Sequence, residues 1–167
     1  MTFMYQISIP PLTRTLNNLA GILQKGSDHA EAKGIDPAVL INSRLYPDMF
    51  PLSKQVQIAS DVSRRGMARL AGQDAPSIED NETTFSELIT RTTNTITYLK
   101  TFATDQIDGT EEKTILLPIG DDTYTFEGLP YLLGFVMPNV YFHVTTAYDI
   151  LRHSGVELGK IDYLGTQ

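Results

Sequence analysis

The chain has 167 residues, no cysteine and a formal charge of −7, with 41% hydrophobic and 20% charged side chains. That length suits one core, and the composition lies far from the apolar-poor, charge-rich signature of disorder. Disulfides, thiolate nucleophiles and Cys-ligated metals are excluded, and the acidic balance opposes a polyanionic partner, so no nucleic-acid ligand is expected.

The first residues, MTFMYQISIPPLTR, lack a basic start, an apolar run and a small-residue cleavage site. A cytoplasmic location is therefore expected. Across residues 4–33, Leu12, Leu16, Leu19 and Leu23 recur at helical spacing, with Pro10 and Pro11 expected to kink or delay the start. Asp36-Pro37 reads as an N-cap followed by a first-turn proline, opening a short helix to about residue 42, and Tyr46-Pro47-Asp48 as a turn.

A second long helix is expected from Pro51, with Leu52, Val56, Ala59, Met67 and Leu70 on one side and Gly72 ending it. Residues 73–82, QDAPSIEDNE, have the composition of an exposed, solvated acidic loop. Phe85, Leu88, Ile89, Ile96, Leu99 and Phe102 mark a third helix. Its many threonines have low helix propensity, so packing must supply most of its stability.

Between residues 113 and 128 the period changes, and two β-rich runs around Gly120-Asp121-Asp122 predict a hairpin. Pro118 restricts its first strand to an edge or an early end. A fourth helix is expected over residues 129–153, closing on Arg152, His153 and then Gly155. Its most apolar stretch, residues 129–142, is about 14 residues against the roughly 20 that span a bilayer, so no membrane partner is expected. The tail, VELGKIDYLGTQ, is expected to dock through Ile161, Tyr163 and Leu164. With no repeat or linker to divide it, the chain is expected to form one domain over residues 1–167. The fold class is all-α, a four-helix bundle with a small β-hairpin before the last helix.

The phosphate-cradle, HExxH, EF-hand and GxSxG motifs are absent. Candidate chemistry therefore rests on polar residues at inward helical positions, starting from the three histidines. His29 falls on the solvent side of its helix, and His153 nearly opposite the apolar stripe of the fourth. His143 lies on the inward flank of the stripe made by Val136, Val140, Val144, Ala147 and Leu151, with Asn139 one turn earlier. Gln55 projects to the apolar side of the second long helix, whereas Gln57 and Asp61 point away from it.

Gln55, Asn139 and His143 are thus the candidate lining of a ligand-binding cleft. The plainer alternative is a partly buried histidine satisfied by a neighbouring backbone or hydroxyl group. Tyr5, Tyr98, Tyr131, Tyr141 and Tyr148 read as core residues with wet tips. Asp74, Glu79, Asp80, Glu82 and the Asp121-Asp122 pair lack the spacing of a calcium site.

The segments MFPLSKQVQIASDVSRRGMARLAG (residues 49–72) and PNVYFHVTTAYDILRHSGVELGKIDYLG (residues 138–165) resemble the DinB/YfiT-like superfamily of four-helix bundles, in an uncharacterised bacterial branch. The resemblance spans nearly the whole chain. It implies a divalent metal, nickel or zinc, held by one histidine on the second helix and an HxxxH pair on the fourth, in thiol-dependent transferases and isomerases. On that pattern His143 takes the second HxxxH position, Asn139 the first, and Gln55 the second-helix position, or Gln57 if the register slips by two. Two neutral amides replace imidazoles that transition metals prefer. No metal or other cofactor is therefore expected, and His143 is the one ligand if a metal binds.

Three readings follow. The first is a metal-free bundle that binds a small molecule or a partner in the cleft. The second is a metal-dependent transferase or hydrolase in which the ion activates water or a thiol cosubstrate. The third is a structural or stress-associated protein acting through homodimerisation, and a homodimer is the expected assembly.

Overall fold

The computed structural model describes residues 3–165. Four long helices, α1 (Met4–Lys33), α3 (Leu52–Ala71), α4 (Phe85–Leu99) and α7 (Met137–His153), close a ring in which α1 packs on α4, α4 on α3, α3 on α7, and α7 on α1. Short helices α2 (Pro37–Ile41), α5 (Thr104–Ile107), α6 (Gly128–Tyr131) and α8 (Lys160–Leu164) lie in the connections. Strands β1 (Thr114–Ile119) and β2 (Asp122–Glu127) pair antiparallel just before α6. Leu12, Leu16, Leu19, Val56, Met67, Leu88, Val140 and Val144 are sealed in one continuous apolar core. Among the described residues, no helix is long and apolar enough to cross a membrane.

Helix ends fall where local chemistry puts them. Asp36 accepts a hydrogen bond from the Ala38 N–H at 2.9 Å. Thr84 and Glu87 form a reciprocal capping box at the start of α4. Gly72 ends α3 at φ 72°, a left-handed conformation that suits a residue without Cβ. The buried hydroxyls of Thr92 and Thr95 bond back to the carbonyls of Leu88 and Arg91, at 2.8 and 2.9 Å, which is how a threonine-rich helix satisfies its inward side.

Several expectations are corrected. Helix α1 runs unbroken through Pro10 and Pro11, because the carbonyls those prolines leave unpaired belong to Gln6 and Ile7, outside the sealed core. Helix α4 stops at Leu99, and Phe102 is buried beyond it in the turn that leads to α5, an element with too short a pattern to predict. The tail docks through buried Val156 and Leu158, through Tyr163, which packs on the core as expected, and on α1 through a bond from Asn18 to the Tyr163 carbonyl at 2.8 Å and a Lys25–Asp162 pair at 2.7 Å. Ile161 and Leu164 are instead 60% and 50% exposed.

The hairpin turns on Gly120 at φ 60°, with Asp121 at negative φ, the pattern of a two-residue type II′ turn. With only two strands both are edges, so Pro118 is tolerated opposite Thr123. Ile115 and Leu117 point into the core while Leu116 and Ile119 are exposed. A Cβ on Gly128 would lie 1.9 Å from the Thr110 carbonyl oxygen, so the return from β2 can approach that backbone only without a side chain.

The fourth helical segment is not one regular helix. Between α6 and α7 lies a π-turn, Leu132–Val136, in which the Met137 N–H bonds to the Leu132 carbonyl five residues back. Pro138 has no N–H for the Gly134 carbonyl and its ring crowds that oxygen, so the ladder widens just before it.

Candidate functional site

The packing of α3 on α7 sets Gln55 opposite His143. Gln55 is 2% exposed, and its Oε1 lies 2.7 Å from His143 Nδ1. The Gln55 Nε2 donates to the Phe50 carbonyl at 3.0 Å, in the turn just before α3. Since an amide nitrogen can only donate and that carbonyl can only accept, the Gln55 oxygen is left facing the ring, and Nδ1 must carry the proton. The imidazole is thereby held in the tautomer that leaves the Nε2 lone pair free of any protein hydrogen bond among the described residues. Burial pushes the His143 pKa below its ordinary value, which keeps the ring neutral near pH 7.

Phe142 stands edge-on to the imidazole with ring centroids 5.2 Å apart and is 57% exposed. Asn139 is half-buried one turn before His143, and its side chain makes no hydrogen bond to either partner among the described residues. Gln57, the other register, is on a different side of α3, where its Nε2 donates to Glu82 Oε2 at 2.9 Å. His29 is half-buried beside Gly155, and His153 is exposed. Neither joins the Gln55–His143 pair.

These donors do not fit the superfamily's metal centre. Gln55 Oε1 is occupied by the imidazole N–H and Asn139 is a neutral amide, so one nitrogen lone pair is all the anchor on offer. Among the described residues, no three His, Asp or Glu side chains gather into a metal-binding group.

A second polar assembly flanks the bundle where the acidic loop, largely exposed as expected, sets Asp80 and Glu82 against it. Arg91, with a side chain 1% exposed, donates to Asp61 Oδ1 at 2.9 Å, Asp80 Oδ1 at 2.8 Å, Glu82 Oε1 at 2.8 Å and the Glu79 carbonyl at 3.0 Å. Arg64, also buried, shares Asp61 Oδ1 at 2.9 Å. Burial favours neutral Arg91, but the Glu82 hydrogen bond and the charges of Glu82 and Asp61 outweigh it and raise its pKa. Burial likewise lifts the Asp80 carboxyl, while the Lys54 hydrogen bond and the Arg91 charge more than reverse that and hold it below its ordinary value. One signal was legible: Arg91 stands on the inward stripe of α4 beside Leu88 and Thr95, and a buried guanidinium demands carboxylates.

A family model described as Domain of unknown function (DUF1993) matches residues 4–164. The chain is similar to a solved structure, the crystal structure at 1.83 Å of a DinB family member protein from Shewanella denitrificans. The two are 42% identical with a TM-score of 0.92, over 98% of this chain and 92% of that one. No curated protein matches the chain.

Proposed function

The chain belongs to the DUF1993 family of DinB-like helical bundles, and from that premise we propose that it is a metal-free binding module that takes a small organic molecule at Gln55, Asn139 and His143. The observation that supports this is the 2.7 Å bond from His143 to a Gln55 amide itself clamped by the Phe50 carbonyl. A satisfied structural histidine needs one partner. Here a second polar group fixes the first, at the level of orientation a binding site requires. The unused Nε2 would accept a hydrogen bond from a ligand hydroxyl, amide or amine, with Asn139 as a second polar contact and the exposed Phe142 face as an apolar one.

The test is a fragment screen on untagged protein, read by the His143 imidazole resonances and by thermal shift. Donor-bearing fragments should move those resonances and raise the unfolding temperature, since a ligand that prefers the native state stabilises it. His143→Phe should abolish the thermal shift while keeping the fold. If millimolar fragments leave His143 unmoved, the cleft is packing and the proposal fails. Metal analysis of the same untagged preparation separates this reading from a metal-dependent transferase or hydrolase, which requires stoichiometric nickel or zinc lost in His143→Ala.

A second reading, homodimerisation, is favoured by the exposure of Phe142 at 57% and Phe50 at 54%, the first next to His143 in the chain and the second bonded through its carbonyl to Gln55. Light scattering at micromolar concentration should then give twice the chain mass, reverting to one in Phe142→Glu. A monomer at all concentrations would count against it.

A further inference from the structure

A groove separate from His143 runs along the outer side of α3. Its one wall is the stripe Lys54, Ile58, Val62, Arg65 and Arg69, which recurs every three or four residues and extends about 22 Å along the helix. The opposite wall is the hairpin end Leu117–Ile119 with Tyr131 and Phe135. Those two rings are stacked, 5.7 Å apart and 10° from parallel, and Phe126 leans on both at 5.8 and 6.1 Å. The apolar wall is therefore preformed. The groove encloses about 270 Å³, room for a molecule on the order of ten heavy atoms.

Its polar rim is electrically incomplete. Lys54, Arg64, Arg65 and Arg91 are in ion-pair contact with three carboxylates, Asp61, Asp80 and Glu82. Asp61 alone is divided among three guanidinium groups, and the outermost, Arg65, reaches its Oδ2 at a long 3.4 Å. Arg69, one turn beyond Arg65, has no carboxylate in ion-pair contact among the described residues, only the Tyr131 hydroxyl at 3.4 Å. Along the groove itself Lys54, Arg65 and Arg69 thus outnumber the lining carboxylates Asp61 and Asp80, and the neighbouring Asp74 is in ion-pair contact with neither Arg65 nor Arg69, on a chain whose net charge is −7.

We propose that this groove binds a small amphiphilic monocarboxylate. Its carboxylate is taken by the paired forks of Arg65 and Arg69, and its apolar body lies against Ile58, Val62, Leu117 and Phe135. A planar guanidinium matches a carboxylate edge to edge, and Arg69 needs to lose no existing ion pair to do so. The site is independent of His143, so either reading can stand if the other falls.

The test uses the full chain, isotopically labelled, titrated separately with octanoate, octan-1-ol and octylamine. Octanoate should bind saturably and shift amides of residues 58–69 and of Leu117 and Ile119 while the His143 resonances stay in place. Octan-1-ol should bind at least tenfold more weakly and octylamine not at all. Arg69→Gln should weaken octanoate at least tenfold, and Ile119→Ser at the exposed hairpin tip should weaken it severalfold, each with an unchanged urea midpoint as the check on folding. Equal binding of the amine, an unaltered affinity in Arg69→Gln, or shifts confined to the His143 neighbourhood would each overturn the assignment.

Discussion

Gln55 holds two polar groups at once, and each would be orphaned by its loss. Gln55→Leu keeps the volume but leaves the Phe50 carbonyl and the His143 N–H without partners, so it should cost about 1–3 kcal/mol in urea unfolding. Gln55→Glu asks a different question. A carboxylate 2.7 Å from Nδ1 favours the imidazolium, so the His143 pKa, depressed by burial in the parent, should rise in an NMR titration. The same depression has a sign in stability. The unfolded chain binds the His143 proton more readily than the folded one, so this contribution is complete above the ordinary histidine range, about pH 6.5, and is lost as pH falls through the folded pKa. Urea midpoints should accordingly decline from pH 7.5 toward pH 5, and less steeply in His143→Phe. The inward position of His143 was legible from helical phase alone. That Gln55 and not Asn139 would meet it depends on how α3 and α7 cross, which no single-helix pattern contains.

At the scale of elements, the acidic segment between α3 and α4 is bound to the bundle through the buried Arg91, with Lys54 on Asp80 and Gln57 on Glu82 beside it. Arg91→Met removes the charge that Asp61, Asp80 and Glu82 share and leaves those carboxylates, with side chains 20%, 35% and 8% exposed, to repel one another. It should cost about 3 kcal/mol in urea unfolding and release hydrogen-exchange protection around residues 79–83. The long helices were legible because apolar residues recur along them every three or four positions, and Gly72 marked the end of α3. Composition was right about the exposure of the acidic loop and silent on the pairing of Asp80 and Glu82 with Arg91, because the cation facing them stands on another element. Helix α5 and the π-turn were missed for other reasons. One is a single turn, and the other differs from a helix by one residue of register.

Across the whole molecule, stabilising carboxylates are dispersed. Asp80 is depressed as described, Glu87 by the backbone and hydroxyl bonds of its capping box with Thr83 and Thr84, and Asp162 by the Gly159 N–H and Lys25 at the α1–α8 contact. Each group's folded pKa lies below its unfolded one, so each contribution is present above the ordinary carboxylate range and lost as pH falls through the folded value. Below about pH 4 the urea midpoint should fall steeply, and the tail should lose its protection alongside the acidic segment, because both contacts depend on ionised carboxylates.

The π-turn before Pro138 sets two clocks against each other. One residue of surplus rotation, about 100°, separates Tyr131 and Phe135, which serve the hairpin side, from Val140, His143 and Val144, which serve the bundle interior. Excising a single residue from 132–136 would restore a regular spiral and swing one of those sets off its target. Within these five positions the chain should therefore accept exchange of side chains far more readily than any change in their number.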